Sequence, residues 1–262
     1  MDVQVGWIVT LFLIGFIGSY ISGMVGIGGS IIKYPMLLYI PPALGFAALT
    51  AQEVSAVSAV QVFFATLSGM LAYRKGGFIN KKLVLYMGIP IIAGSFLGGY
   101  GSKFLPDTAI NVTYAVMALV AAVMMFMPKK QQDVDDYSKI RFDPILASGS
   151  AAVVGVLSGI VGAAGAFITV PIMLVVLKIP TRVAIASSLA ITFLSSIGST
   201  AGKLMGGHML LIPSVVMVIA SVIASPLGAK AGKKMNVKAL QWILAGLITA
   251  TVVKIWLDLL MG

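Results

Sequence analysis

Long runs of apolar residues, separated by short polar loops, dominate the chain. A bilayer core about 30 Å thick needs about 20 apolar residues at the helical rise of 1.5 Å per residue. Eight runs reach that length and are predicted to be transmembrane helices: 5–24, 46–72, 83–101, 110–127, 144–161, 183–201, 210–229 and 239–260. Two further runs, 30–40 and 166–178, are too short to cross upright and are predicted to be re-entrant or half-spanning helices. The pattern therefore predicts an all-α polytopic membrane protein.

Composition agrees with lipid as the main solvent of this chain. Of its 262 residues 59% are hydrophobic and only 10% are charged, whereas soluble domains carry about 25% charged residues. A soluble enzyme or binding module is excluded on these grounds. There is no cysteine, and His208 is the single histidine, so neither a metal site nor a Ser-His-Asp triad is expected. We expect no enzymatic activity and no cofactor.

The basic residues indicate how the chain is oriented. Lysine and arginine number 18 against 8 acidic residues, an excess that reflects cytoplasmic loops of a membrane protein rather than nucleic-acid binding. Each long helix and the short helix that follows it (5–40 and 144–178) can start and finish on the same face of the membrane. In that case the four basic loops all lie on one side. That side is predicted to be cytoplasmic, in the cell membrane. The basic residues of these loops are Arg74, Lys75, Lys81, Lys82, Lys129, Lys130, Lys139, Arg141, Lys178, Arg182, Lys230, Lys233, Lys234 and Lys238.

An internal repeat divides the chain in two. Residues 22–35 (SGMVGIGGSIIKYP) match residues 158–171 (SGIVGAAGAFITVP) at an offset of 136, and 48–52 lie over 184–188 in the same register. After a six-residue shortening, 95–103 lie over 225–233. We predict a first repeat at 1–128, a cytoplasmic linker at 129–142 and a second repeat at 143–262. An odd number of crossings separates the repeats, so they are predicted to be inverted, the arrangement of secondary transporters with a site near the midplane.

A glycine-rich turn joins the long and short helix of each repeat. A break at membrane depth is tolerated only where it is buried or lines a wet cavity, and the following helix N-terminus carries a partial positive charge that favours an anion. We predict that the two N-termini face each other around a small anion, with nearby hydroxyls completing the site. The predicted substrate-binding residues are Ser22, Gly26, Gly28, Gly29, Ser30, Thr50, Gln52, Ser158, Gly162, Gly165, Ser187, Ser188 and Thr192.

Two charged residues fall within the apolar segments of the first repeat. Glu53 is expected about two turns into the helix at 46–72, where a carboxylate is costly enough to suggest a function. Either Glu53 forms a structural ion pair with Lys33, or the two residues serve in gating or in coupling to a proton or another ion. Lys203, near a helix end, is expected to extend to the lipid headgroups. GxxxG spacings favour helix packing and permit a homodimer.

The doubled S-G-x-x-G-x-x-G-x(5)-P element resembles the sulfite exporter TauE/SafE family of bacterial and archaeal membrane proteins. Both repeats take part, so the resemblance spans nearly the whole chain. It implies a permease, and specifically an exporter of sulfite, organosulfonates or related sulfur oxyanions, with the glycine-rich elements near the substrate path.

The sequence thus predicts a secondary transporter of a small anion that works by alternating access to a site between the repeats. An anion channel is the first alternative, because the same helix ends can line an open pore. A membrane-embedded enzyme is the second, and it lacks histidine, cysteine and paired carboxylates at matching depth.

Overall fold

The computed structural model describes residues 2–25, 30–73, 78–127, 140–163 and 165–236, with ten further residues between 239 and 257. Those ten are all helical. The chain also contains a 3-10 turn at Ser102–Phe104 and a π-helical turn at Ile172–Val176. The helices of the described segments up to residue 236 are α1 (Asp2–Val25), α2 (Ser30–Ala43), α3 (Ala51–Tyr73), α4 (Lys81–Gly101), α5 (Asp107–Phe126), α6 (Pro144–Val161), α7 (Ala166–Pro171), α8 (Thr181–Gly206) and α9 (Leu211–Lys234).

Seven of these helices are long and apolar enough to cross a membrane: α1, α3, α4, α5, α6, α8 and α9. They correspond to seven of the eight predicted crossing helices, and α2 and α7 correspond to the two short ones. The eighth predicted helix, 239–260, is described only at scattered residues, and most of the predicted linker lies outside the described residues. The all-helical, multi-pass architecture is confirmed.

The predicted start of the third helix was wrong by five residues. Gly45 turns the chain at φ 81°, and α3 begins only at Ala51. The Thr50 hydroxyl accepts from the Glu53 amide at 3.2 Å, and the Glu53 carboxylate accepts from the Thr50 amide at 2.9 Å. This reciprocal pair is a capping box, which satisfies two backbone donors at a helix start. The apolar residues 46–49 concealed that boundary in the sequence.

Glycines bring parallel helices into backbone contact at two equivalent interfaces. In the first, Gly228 of α9 lies against Tyr20 of α1, and Gly232 lies against Met24. From one contact to the next, the residue numbers increase in both helices. Helices α1 and α9 are therefore parallel. The absence of Cβ atoms allows this approach, as in other membrane helix pairs.

The second interface joins α4 and α6 in the same way. Gly94 lies against Ala152 and Gly98 lies against Val156. Helices α4 and α6 are therefore parallel. Under the sequence repeat, α6 corresponds to α1 and α9 corresponds to α4, so the two interfaces are equivalent.

Helix α8 fixes the direction of the remaining helices. Gly198 and Gly202 of α8 lie against Ile92 and Phe96 of α4, so these two helices are parallel. In contrast, α3 is antiparallel to α8, because Phe63 stacks near Phe193 while Gly69, further along α3, lies against the earlier Leu189. Only residues 207–210 separate α8 from α9, which runs back.

Two groups of helices thus run in opposite directions. Helices α4, α6 and α8 end at one end of the bundle, called here the Lys203 end. Helices α1, α3 and α9 end at the other, called the Gly232 end. Most of α3 and α8 is buried, whereas the outer faces of the surrounding helices expose large apolar residues, such as Ile89 (65% exposed), Val153 (61%) and Ile219 (52%). These outer faces suit contact with lipid chains.

Candidate functional site

A buried lysine joins three helices of the first repeat. Lys33, in the first turn of α2, is completely buried, and its stem passes across Gly18 of α1. Its ammonium donates to the side-chain oxygen of Gln61 in α3 and lies 3.5 Å from the hydroxyl of Ser19 in α1. The Gln61 amide also donates to Ser19 Oγ at 2.7 Å. We call Lys33, Ser19 and Gln61 the Lys33 cluster.

This cluster concentrates positive charge inside the bundle. An ammonium at membrane depth is costly and is usually functional. Lys33 also lies close to the N-terminus of α2, where the helix dipole contributes further positive charge. Both effects favour an anion nearby. Ser22, one turn after Ser19 on α1, is also buried and is one of the predicted site residues.

Of the other residues predicted for the first repeat, Thr50 and Gln52 lie apart from this cluster. Gly26, Gly28 and Gly29 lie outside the described residues, as does the side chain of Ser30. Thr50 forms the capping box at the start of α3. Gln52, beside it, donates its side-chain amide to the Leu105 carbonyl at 2.9 Å and its backbone amide to Asp107 at 3.1 Å.

The predicted ion pair between Lys33 and Glu53 is wrong. Lys33 contacts α3 at Gln61, eight residues beyond Glu53, which is about 12 Å along a helix axis. Glu53 lies instead in the first turn of α3, partly exposed, where its carboxylate is held by Thr50. The helix start at Ala51 explains the difference, since the sequence placed Glu53 about two turns into the helix and the structure places it in the first turn.

The second glycine-rich turn is packed against α3. Gly162 and Gly165 have φ values of 72° and 64°, a conformation that favours glycine. A Cβ on Gly162 would lie 1.8 Å from the Ser55 carbonyl oxygen, so the two backbones touch. The Ser158 hydroxyl lies beside Gly165 and donates to the Gly155 carbonyl at 3.0 Å. These contacts explain Gly162, Gly165 and Ser158 as packing residues of the turn.

The helices that precede the two breaks, α1 and α6, end at opposite ends of the bundle. Met24, just before the first break, is level with Gly232 near the end of α9. Ile160, just before the second, is bonded to Lys203 near the end of α8. The N-termini of α2 and α7 therefore do not face each other, contrary to our prediction. The prediction located the breaks along the chain but assumed a common depth for them.

Helices α2 and α7 approach each other through aromatic rings in the interior. Tyr34 of α2 stacks on Tyr114 of α5 with ring centroids 4.5 Å apart, and Tyr114 is 5.7 Å from Phe167 of α7. The Tyr34 hydroxyl donates to Asn111 Oδ1 at 2.9 Å. Sequence reasoning missed this stack because its members lie on three separate segments.

Buried hydroxyls follow one face of α8. Of the predicted residues, Ser187 accepts from the Asn80 amide at 3.0 Å, and Ser188 donates to the Ile185 carbonyl at 2.8 Å. Four further hydroxyls of α3 and α8 are fully buried and have no hydrogen-bond partner among the described residues: Ser58, Thr192, Ser195 and Ser199. Sequence reasoning named only Thr192 of these. The spacing of 192, 195, 199 and 203, which places them on one helix face, was the available signal.

Lys203 is buried. The prediction that it extends to the lipid headgroups is therefore wrong. It is only 5% exposed, and its ammonium donates to Ser102 Oγ at 2.7 Å and to the Ile160 carbonyl at 2.8 Å. The Ser55 hydroxyl donates to the same carbonyl at 3.2 Å. Helix α8 continues to Gly206, beyond the predicted end at 201, so Lys203 stays within the bundle.

An apolar groove of about 360 Å³ lies along α4 and is closed on one side by Leu194 of α8. Its lining includes Ile79, Val84 and Ile89, with Lys81 at its margin. None of the predicted site residues lines this groove, so it is separate from the Lys33 cluster.

Comparison with known proteins assigns the chain to a family. The model of the family described as "Sulfite exporter TauE/SafE" matches residues 11–255. The probable membrane transporter protein YunE of Bacillus subtilis is 26% identical over 90% of this chain and 92% of its own length. The probable membrane transporter protein MJ0441 of Methanocaldococcus jannaschii is 26% identical over 91% of each chain. No solved structure gives a significant match. With the family model covering nearly its whole length, the chain belongs to the sulfite exporter TauE/SafE family of membrane transporters.

Proposed function

We propose that this protein is a secondary transporter that exports a small oxyanion, sulfite or an organosulfonate, and that the anion binds at the Lys33 cluster. The observation that carries the proposal is the fully buried Lys33 ammonium, held by Gln61 and Ser19 in the first turn of α2. The family description and the names of the relatives support transport and suggest the sulfur oxyanion.

The chemistry of the Lys33 cluster suits an oxyanion that must also leave. Lysine provides a compact charge with three N–H donors, and the serine hydroxyl and glutamine amide add neutral donors that can reorient toward an anion. A single charge with neutral donors attracts the anion without the tight, bidentate binding that arginine gives. Release into the opposite compartment then remains fast.

Alternating access would follow from two inverted repeats, 1–128 and 143–262, on either side of a linker at 129–142. The helix directions support this proposal, because α1, α3 and α4 each run opposite to their counterparts α6, α8 and α9. Equivalent contacts support it as well: Gly23 lies against the Ser225 carbonyl, and Gly159 lies against the Ser95 carbonyl. Inverted repeats of this kind underlie alternating access in other secondary transporters.

The same reasoning orients the protein in the membrane. Lys81 and Lys82 begin α4 at the Gly232 end, and Lys230 and Lys234 close α9 at that end. Positive charge accumulates in cytoplasmic loops, so the Gly232 end is proposed to be cytoplasmic. The Lys33 cluster, in the first turn of a helix that starts from this end, then receives the anion from the cytoplasmic side, as export requires.

Two measurements test the proposed function. In detergent, sulfite, methanesulfonate, sulfate and chloride are each titrated while the unfolding temperature is followed; a ligand at 100 times its Kd stabilises by about 2.7 kcal/mol. In proteoliposomes, sulfite loaded inside should accelerate the entry of labelled sulfite. A channel would show no such trans-stimulation, which separates the alternative from a transporter.

Lys33→Met provides the decisive variant. Methionine fills similar space without the charge, and the Gln61 to Ser19 hydrogen bond remains. We expect anion-induced stabilisation to fall and counterflow to disappear in Lys33→Met, and both to persist in Lys103→Gln, whose ammonium lies 3.7 Å from the Tyr100 ring centroid near the Lys203 end. Wild-type behaviour of Lys33→Met, or failure of every anion to stabilise the wild type, would contradict the proposal.

A further inference from the structure

A second buried ammonium lies nearer the Lys203 end than Lys33 does. The Ile160 carbonyl that it contacts also accepts from Ser55 of α3, six residues, or about 9 Å along a helix axis, before Gln61. Lys203 is 5% exposed, and the partners it has are the neutral oxygens of Ser102 and Ile160. An ammonium carries three N–H donors, so these two bonds leave one donor for a further ligand. The charge is therefore held in place but not neutralised by these oxygens.

Capping of α6 does not by itself explain a charged residue here. The Ile160 carbonyl belongs to the last turn of α6, where backbone acceptors lack helical partners. The Ser55 hydroxyl, a neutral donor, already bonds to that carbonyl at 3.2 Å. A buried charge at membrane depth is much more costly than a hydroxyl. This cost indicates that the charge has a role in addition to its hydrogen bond with the Ile160 carbonyl.

The face of α8 that leads to Lys203 carries buried hydroxyls that have no hydrogen-bond partner among the described residues. Ser199 lies one turn before Lys203 and Ser195 about two turns before it, and both are fully buried with no hydrogen-bond partner among the described residues. A buried hydroxyl without a hydrogen-bond partner destabilises the fold. Thr192, in the same condition, continues the row toward the bundle interior. Neutral donors beside an ammonium are the components of an anion site.

We propose that Lys203, Ser199 and Ser195 form a second binding subsite for the transported oxyanion, at the Lys203 end of the path. The inference rests on the proposed function and extends it: the Lys33 cluster receives the anion from one side of the membrane, and the Lys203 subsite releases it to the other.

Binding stoichiometry tests the second subsite directly. Labelled sulfate, a stable analogue of sulfite, is titrated onto purified full-length protein by equilibrium dialysis. We expect two bound sulfates per chain for the wild type and for the control Lys103→Gln. Lys203→Met and Lys33→Met should each retain one, and Lys203→Arg, which keeps the charge, should retain two.

A second variant keeps the test decisive if Lys203→Met does not fold. Ser199→Ala leaves the charge and the Ile160 contact in place, and it should weaken one of the two sulfates about tenfold, the effect of one hydrogen bond to a charged group. Two sulfates of unchanged affinity in Lys203→Met or Ser199→Ala would overturn the subsite and leave the proposed function standing. A lower unfolding temperature of Lys203→Met with unchanged stoichiometry would mean that Lys203 only caps α6. No sulfate or sulfite bound by the wild type would instead refute the proposed function.

Discussion

Alanine at Gly98 should force α4 away from α6, and alanine at Gly228 should do the same to α9 and α1. A Cβ would lie 1.9 Å from the Val156 carbonyl oxygen in the first case and 1.8 Å from the Tyr20 carbonyl oxygen in the second. The closest ordinary carbon to oxygen contact is about 3.3 Å, so each helix pair must separate by about 1.4 Å. Both obstacles are backbone atoms, which have no rotamer to change.

The magnitude follows from two opposing effects. Overpacking of this kind costs about 1–3 kcal/mol. Alanine recovers up to about 1 kcal/mol over glycine through helix propensity. Gly149 of α6 isolates the second effect, because nothing lies within 4 Å of a Cβ built there. Gly98→Ala and Gly228→Ala should therefore be less stable than Gly149→Ala by about 1–3 kcal/mol.

Thermal unfolding in one detergent measures these differences. For chains of 150–250 residues about 1 kcal/mol changes the unfolding temperature by about 2–4 °C, so each variant should unfold several degrees below Gly149→Ala. An unfolding temperature of Gly98→Ala at or above that of Gly149→Ala would refute the backbone contact. A large effect at only one of the two positions would refute the equivalence of the two interfaces.

Three further predictions concern single contacts, each checked by thermal unfolding. Asn80→Ala removes the side-chain acceptor of the Leu83 amide at the start of α4 and should cost about 1 kcal/mol. Glu53→Gln keeps the capping box with Thr50 and should leave both stability and the proton-gradient dependence of transport unchanged, whereas a loss of that dependence would assign Glu53 to coupling. Tyr34→Phe loses only the hydrogen bond to Asn111 and should cost about 1 kcal/mol, while Tyr34→Ala, which also loses the ring stack, should cost about 3–5 kcal/mol.

The helices were predictable because lipid imposes a simple rule on the sequence. A crossing helix must be apolar over a fixed length, so runs such as 144–161 can be read directly. Helix boundaries that are set by hydrogen bonds were not predictable from the sequence, as the start of α3 demonstrates. Hydropathy does not distinguish residues 46–49, which precede the capping box, from the helix that follows it.

The candidate site was only partly predictable for a related reason. Lys33 stands out as a charge in an apolar run, and the sequence identified it. Its partner on α3 depends on how far α2 extends along that helix. Because the predicted start of α3 was five residues early, Glu53 was expected deep enough to reach Lys33, whereas the observed partner is Gln61, eight residues further along. Lys203 was misread because the sequence does not show that α6 ends beside α8 and supplies an acceptor there.

The glycine contacts also indicate which surfaces move during transport. Helices α4, α6 and α8 touch backbone to backbone at Gly98 and Gly202, and α1 and α9 do so at Gly228, so neither group can change its internal packing without separating. Between the groups, the turn at Gly162 after α6 touches the α3 backbone at Ser55, whereas α3 and α8 meet through side chains, including the Phe63 and Phe193 rings. Rings can slide where backbones in contact cannot. Relative motion is therefore expected along the surface between α3 and α8, and under the proposed repeats each group combines helices from both halves of the chain.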